Sequence, residues 1–304
     1  MKKFNYLAIL LMVMIFFISC NREEQNNPEI LPSNELEGAL SGKFSVSENK
    51  QIRFSRGNLQ YQASTDTWRF AEHQSDIIGE DNRNIRKDNY DGWIDLFGFG
   101  TASHPMTCKA DNRYYGSGYE DLSEEEYKEK DWGWHNKISN GGNKVHLWRT
   151  LTREEFVYLM QDRPHASDWT FAKVNGILGF VIVPDDWEIP QGVNYLPKAN
   201  TNIYSLSEWK SLEDAGAVFL PAAGWRDIDT ESSSDYNRRT VTLIEDVGEI
   251  GRYWTATRAI PYNGYEWRAI PFVFDNQSWL IPKLSSNAYS FMFGYSVRLV
   301  QDVK

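Results

Sequence analysis

Cysteine is nearly absent: the 304 residues hold two, Cys20 and Cys108. With so few thiols, no disulfide framework and no multi-cysteine metal site is available. The five histidines (His73, His104, His135, His146 and His165) show no His-Glu-x-x-His or other close ligand spacing. There is no Gly-x-Ser-x-Gly elbow and no phosphate loop. Basic residues are in the minority, 32 against 42 acidic, for a net charge of −10. Such a surface repels phosphate backbones and argues against nucleic acid as a partner. Long apolar runs are missing too. The block from Leu7 to Ile18 is too short and too near the start for a spanning helix, which takes ~20 residues. No internal repeat and no second linker appears, so one domain is expected beyond the leader.

The beginning of the chain is informative. Met-Lys-Lys, the apolar block and Ser19 before Cys20 have the order of a secretory signal. Phe17-Ile18-Ser19-Cys20 resembles the lipobox of bacterial lipoproteins. That resemblance implies a signal peptide over residues 1–19 and an acylated (palmitate-bearing) Cys20 as the mature N-terminus. Asn21-Arg22-Glu23-Glu24 resembles the short acidic signals that send lipoproteins to the outer face of the cell. The implied location is the outer membrane of a Gram-negative bacterium, lipid-anchored and exposed at the surface. Acyl chains contribute ~0.8 kcal/mol per buried methylene, so the anchor needs no spanning helix. Cleavage removes Lys2 and Lys3 and no acid, which takes the net charge from −10 to about −12. Cys108 is then the one free thiol, and a lone cysteine is ordinarily a small buried hydrophobe. Residues 20–41, with Pro28, Pro32 and several Asn and Glu, read as a flexible tether.

Residues 42–304 carry the fold. Lys43 to Ser47, Gln51 to Tyr61 and Thr67 to His73 alternate as half-buried strands do. Ser75 to Lys137 loosens into an aromatic, Asn- and Gly-rich stretch containing Gly92-Trp93-Ile94-Asp95-Leu96-Phe97 and Asp131-Trp132-Gly133-Trp134. A long irregular segment this rich in rings needs burial, and ordered loops of that length tend to be functional. Its acidic run, Glu120 to Lys130, reads as a solvated face or a short helix. Thr152-Arg153-Glu154-Glu155 is a capping box, which predicts a helix over Thr152–Arg163. A second helix starts at Ser205 or Ser207, shows Trp209 and Leu212 on one side and stops at Gly216. Phe171 to Val183 folds as a hairpin on Asn175-Gly176, closed by Pro184. Short strands follow at Ala215–Arg226, Gly251–Arg258, Ala269–Phe274 and Tyr289–Val300.

Several of these pieces together resemble one family. Asp131-Trp132-Gly133, Ile138-Ser139-Asn140-Gly141-Gly142-Asn143, Trp148-Arg149-Thr150-Leu151-Thr152, Phe219-Leu220-Pro221-Ala222-Ala223-Gly224, Tyr253-Trp254-Thr255-Ala256-Thr257 and Ser296-Val297-Arg298-Leu299-Val300 are similar to surface lipoproteins of the Fibrobacter-type major paralogous domain. Those in turn resemble the C-type lectin fold, in the branch with formylglycine-generating enzymes and the variable proteins of diversity-generating retroelements. The likeness spans roughly residues 42–302. It implies an α+β, C-type-lectin-like domain: twisted antiparallel sheets, two flanking helices, long loops, and N- and C-terminal strands paired. Ligands would bind on the loop side.

What the resemblance implies about chemistry is mostly negative. The calcium-dependent lectins of this fold use Glu-Pro-Asn or Gln-Pro-Asp plus Trp-Asn-Asp; Pro261-Tyr262-Asn263 and Phe274-Asp275-Asn276 depart from both. Six to eight oxygens for calcium do not assemble. Asp227, Asp229 and Glu231 alternate and would suit a cation, but exposed acids in an acidic chain account for them. The formylglycine-generating enzymes use a cysteine pair that one thiol cannot replace. A carboxylate pair for glycoside hydrolysis meets only in space, so that alternative stays open. Neither metal nor cofactor is expected, and no catalytic motif is present. Rings are the positive clue: 12 Trp, 16 Tyr and 16 Phe. Trp225 and Trp254, inside strand motifs, are assigned to the core. Tyr262, Tyr265, Trp267 and Trp279, with Asn263, Asp275 and Asn276 beside them, are the candidate ligand contacts, flat faces suited to sugars or to a protein anchor. The function expected is a surface-anchored, adhesive binding module for a glycan or a surface protein. The alternatives are an accessory subunit of a surface appendage and, behind it, a glycan hydrolase.

Overall fold

Short alternating runs cut by turn residues dictate many brief strands and few helices, and the chain folds that way. The computed structural model describes residues 37–106, 121–229, 241–259, 268–275, 283–284, 289–290 and 293–304. In chain order the first strands are β1 (Phe44–Ser47), β2 (Lys50–Phe54), β3 (Leu59–Gln62), β4 (Thr67–Phe70), β5 (Thr170–Val174), β6 (Ile177–Ile182), β7 (Asn202–Tyr204) and β8 (Val218–Pro221). There follow β9 (Trp225–Asp229), β10 (Val241–Glu245), β11 (Ile250–Arg258), β12 (Arg268–Asp275), β13 (Lys283–Leu284), β14 (Tyr289–Ser290) and β15 (Val300–Asp302). The helices are α1 (Trp132–His135), α2 (Arg153–Gln161) and α3 (Leu206–Asp214). The class is mixed α+β, with no closed barrel among the described strands.

The sheets are small and antiparallel with one exception, β5 on β7, which is parallel. Their orders are β1-β2-β15, β3-β4, β7-β5-β6-β8, β9-β10, and β12 flanked by β11, β13 and β14. The last strand joins the sheet of the first two, pairing Val300 with Phe54 and Asp302 with Ile52. Its neighbour is β2 rather than β1. At the β5–β6 turn Asn175 and Gly176 take left-handed φ values of 50° and 83°, the backbone a two-residue hairpin requires.

Local signals and tertiary structure differ in several places. The run Gln51 to Tyr61 is two strands, because Gly57 backs onto Ala71: a Cβ there would stand 2.6 Å from the Ala71 carbonyl. The chain turns at that contact and passes from one sheet to another. Tyr289 to Val300 is not one strand either. Gly294, Tyr295 and Ser296 bridge singly to Arg226, Phe97 and Tyr253, so this segment threads between partners instead of following one. Helix α1 is an addition, since four residues are too few to show a helical period. Asp131 caps it by accepting from Gly133 N–H at 2.9 Å. Helices α2 and α3 begin at Thr152 and Ser205, both with complete capping boxes.

Rings fill the interior. Phe171, Phe180, Phe272 and Phe274 pack with centroids 5.4–6.1 Å apart, and Phe156 of α2 stacks on Phe272 at 5.0 Å. A second cluster gathers Trp68, Phe97, Trp132, Trp148 and Trp254. Trp254 is buried as expected. Trp225 is not fully inside: it is half-buried, lies under the Arg252 guanidinium at 4.4 Å and donates its indole N–H to Asp246 at 2.9 Å. An indole whose edge has a carboxylate partner and whose face carries a cation belongs at the boundary with water.

Candidate functional site

Most of the expected ligand contacts, Tyr262, Asn263, Tyr265, Trp267, Asn276 and Trp279, lie outside the described residues, as do Cys20, Cys108 and Glu231. Asp275 ends β12 opposite Ile250 and is half-exposed. Asp227 and Asp229 belong to strand β9. The described part of the molecule holds a different site, a cleft of about 370 Å³ lined by Gln60, Arg69, Ser75, Asp76, Ile77, Ile78, Asn175 and Ile177.

Three elements build its walls. The β3–β4 pair sets Gln60 against Arg69, and Arg69 Nε donates to Gln60 Oε1 at 2.9 Å. Alternation explains the aim: Trp68 and Phe70 point into the core, so Arg69 points out of it. The Trp93 ring then lies under the guanidinium, 3.7 Å from Cζ to centroid. The second wall is the segment 75–78. The third is the β5–β6 hairpin, offering Asn175 and Ile177.

The second wall is pinned at both ends by buried ionisable groups. At one end Gln74 Oε1 accepts from Arg298 Nη2 at 2.6 Å and from Phe219 N–H at 2.8 Å. Gln74 Nε2 donates to Glu213 at 2.9 Å. Burial pulls Arg298 down to about 10, with the Glu213 charge among the opposing influences, and it stays charged at neutral pH. At the other end Ile78 N–H donates to Asp95 Oδ2 at 3.1 Å, and Asn82 Nδ2 to Asp95 Oδ1 at 2.8 Å. Burial pushes the Asp95 carboxyl up to about 6; the Asn82 amide and the backbone donors hold it from going further.

One short stretch serves both walls. Ile94 exchanges two backbone hydrogen bonds with Tyr61 at 2.9 Å each, which lays Trp93-Ile94-Asp95 along the edge of β3. Ile94 faces the core. Trp93, on the opposite side, supports Arg69, while Asp95 reaches the backbone of Ile78. A buried, unpaired charge is expensive, and here each one holds a wall of a cleft.

Compared with family models, with curated proteins and with solved structures, the chain matches none.

A second polar cluster surrounds Glu129. His135 Nδ1 stands 3.0 Å from Glu129 Oε2 and His146 Nε2 3.7 Å from Oε1, with His146 stacked on Trp134 at 4.6 Å. The two imidazoles address different oxygens and do not converge. Among the described residues no three His, Cys, Asp or Glu side chains gather as metal ligands.

The residues by themselves single out the irregular 75–137 stretch, the Trp93 piece and the Ser296–Val300 motif, but give no site role to Arg69, Gln74, Asp76 or Arg298. The one available signal was Arg69 on the polar side of an alternating strand. What faces it comes partly from residues near it in the chain, Gln60 and Asp76, and partly from Asn175 and Ile177 about a hundred residues on.

Proposed function

We propose that this chain is a binding module of C-type-lectin-like fold, anchored through a lipid on Cys20 at the outer surface of a Gram-negative cell, that recognises a glycan or protein ligand without covalent chemistry. The observation that supports it is the cleft wall 75–78, clamped by Arg298 through Gln74 and by Asp95 through the Ile78 N–H. A wall ordered before the ligand arrives lowers the entropy lost on binding. In this reading the rings of Tyr262, Tyr265, Trp267 and Trp279, which lie outside the described residues, are further ligand contacts. Palmitate labelling of cells carrying wild type and Cys20→Ser tests the anchor: label on wild type alone is expected. For the activity, the purified chain is applied to a glycan array and used to recover surface proteins from intact cells. A silent array together with no recovered protein would end the proposal; a stable complex with one neighbouring subunit would favour the assembly role instead.

A further inference from the structure

Resting on the binding-module reading, we infer that the cleft between β3–β4, the 75–78 segment and the β5–β6 hairpin holds one neutral sugar ring, gripping two adjacent hydroxyls between Arg69 and Asp76. The two residues line the same cleft and feel each other's charge, yet no ion pair joins them. Each is fixed by another partner. Arg69 uses Nε on Gln60 and lays one face on Trp93, which leaves both terminal amino groups without a hydrogen-bond partner among the described residues. Asp76 uses Oδ2 to accept from His73 N–H at 2.8 Å, and its Oδ1 has no hydrogen-bond partner among the described residues. A charged donor edge and a charged acceptor held apart, both facing open volume, match a pair of hydroxyls that must accept on one side and donate on the other.

Charge decides against other small ligands. Asp76 and Glu72 both lie close enough to act on Arg69, so the guanidinium is offset and the cleft does not favour an anion in a chain of net charge −10. The adjacent guanidinium equally disfavours a metal cation. Ile77, Ile78 and Ile177, all half-buried, give an apolar strip for the C–H face of the ring, and the exposed Asn175 side chain is a further polar group at the hairpin tip. At about 370 Å³ the volume is near the small end of the ~300–1,000 Å³ typical of ligand sites. That size suits a sugar ring better than a folded epitope.

Saturation-transfer NMR on the full chain tests this with methyl mannoside, methyl galactoside and methyl glucoside as neutral probes. Methyl glucuronide and a deoxy version of each neutral sugar serve as comparisons. At least one neutral glycoside should bind. Removing either of the two gripped hydroxyls, Arg69→Met, or Asp76→Asn should each weaken it at least tenfold. Arg69→Met also removes the Nε bond to Gln60 and the guanidinium over Trp93, so a lowered melting temperature accompanies its loss of binding. Asp76→Asn keeps an oxygen for the His73 N–H, so its melting temperature should be unchanged and its loss of binding reads the grip alone. Neutral-sugar binding that survives both substitutions overturns the inference. So does a preference for the glucuronide, or a protein ligand recovered from cells with no sugar bound; in these cases the binding-module reading stands without it. No ligand of any kind removes both.

Discussion

Glu155 joins three parts of the fold, and replacing it measures how firmly the chain's ends are tied. Its carboxylate takes the Arg149 fork at 2.7 and 2.9 Å, the Lys50 ammonium at 3.0 Å and the Thr152 N–H at 3.0 Å. Arg149 also reaches Asp302, at the end of β15. Glu155 and Arg149 side chains are only 12% and 20% exposed, whereas Asp302 is 49% exposed. Burial would push Glu155 up, but the fork, the Arg149 charge, the Thr152 N–H and Lys50 bring it below the ordinary carboxylate range. Hydrogen bonds to charged groups contribute roughly 1.5–3 kcal/mol, and loss of a cap costs about 1 kcal/mol. Glu155→Ala should therefore lose about 2–4 kcal/mol. Glu155→Gln keeps the capping oxygen and loses the charge, for about 1–2 kcal/mol. Asp302→Ala, a mostly solvated pair, should fall within about 1 kcal/mol. Urea unfolding gives the order, read as midpoint shifts at constant slope. The sign with pH follows from the depressed value: the contribution is complete above the unfolded carboxylate range near ~4.3 and fades as pH falls through the lower folded value. The gap between wild type and Glu155→Gln should accordingly close in acid. A Glu155→Ala loss under ~0.5 kcal/mol, within the range of ordinary surface changes, would refute this account of how the ends are held.

Two further substitutions probe the cleft wall and the core. Asp95 is raised from 3.8 to about 6 in the fold, so its contribution to stability is complete below the unfolded value and is lost as pH rises through 6. Against Asp95→Asn, which does not titrate, wild type should gain about 1 kcal/mol between pH 7 and pH 5; parallel stability curves would contradict the buried charge. Phe180 is buried among Trp169, Phe171, Phe272 and Phe274. Phe180→Ala should cost about 3–5 kcal/mol by urea unfolding, and a loss below ~1 kcal/mol would mean that the rings do not form one cluster.

How much was legible depended on range. Capping boxes are local, and Thr152–Glu155 and Ser205–Glu208 start their helices as the residues indicate. The Asn175-Gly176 hairpin is equally local. Alternation located the strands but not their breaks: the end at Phe54 comes from Gly57 meeting Ala71, a contact no periodicity shows. The motif around Trp225 points to the core, and the Arg252 and Asp246 side chains hold it half-buried at the boundary with water instead. The candidate cleft was the least legible feature, since Gln60, Asp76 and Asn175 meet only in space.

The sequence alone determined the small strands and the two capped helices, which follow from neighbours a few residues apart, and the acidic balance, which follows from composition. Tertiary structure decided which charges are buried and what they hold. Arg298 and Asp95 look like ordinary polar residues in the chain; folding takes both out of water, and the hydrogen bonds they then require fix the wall of the cleft.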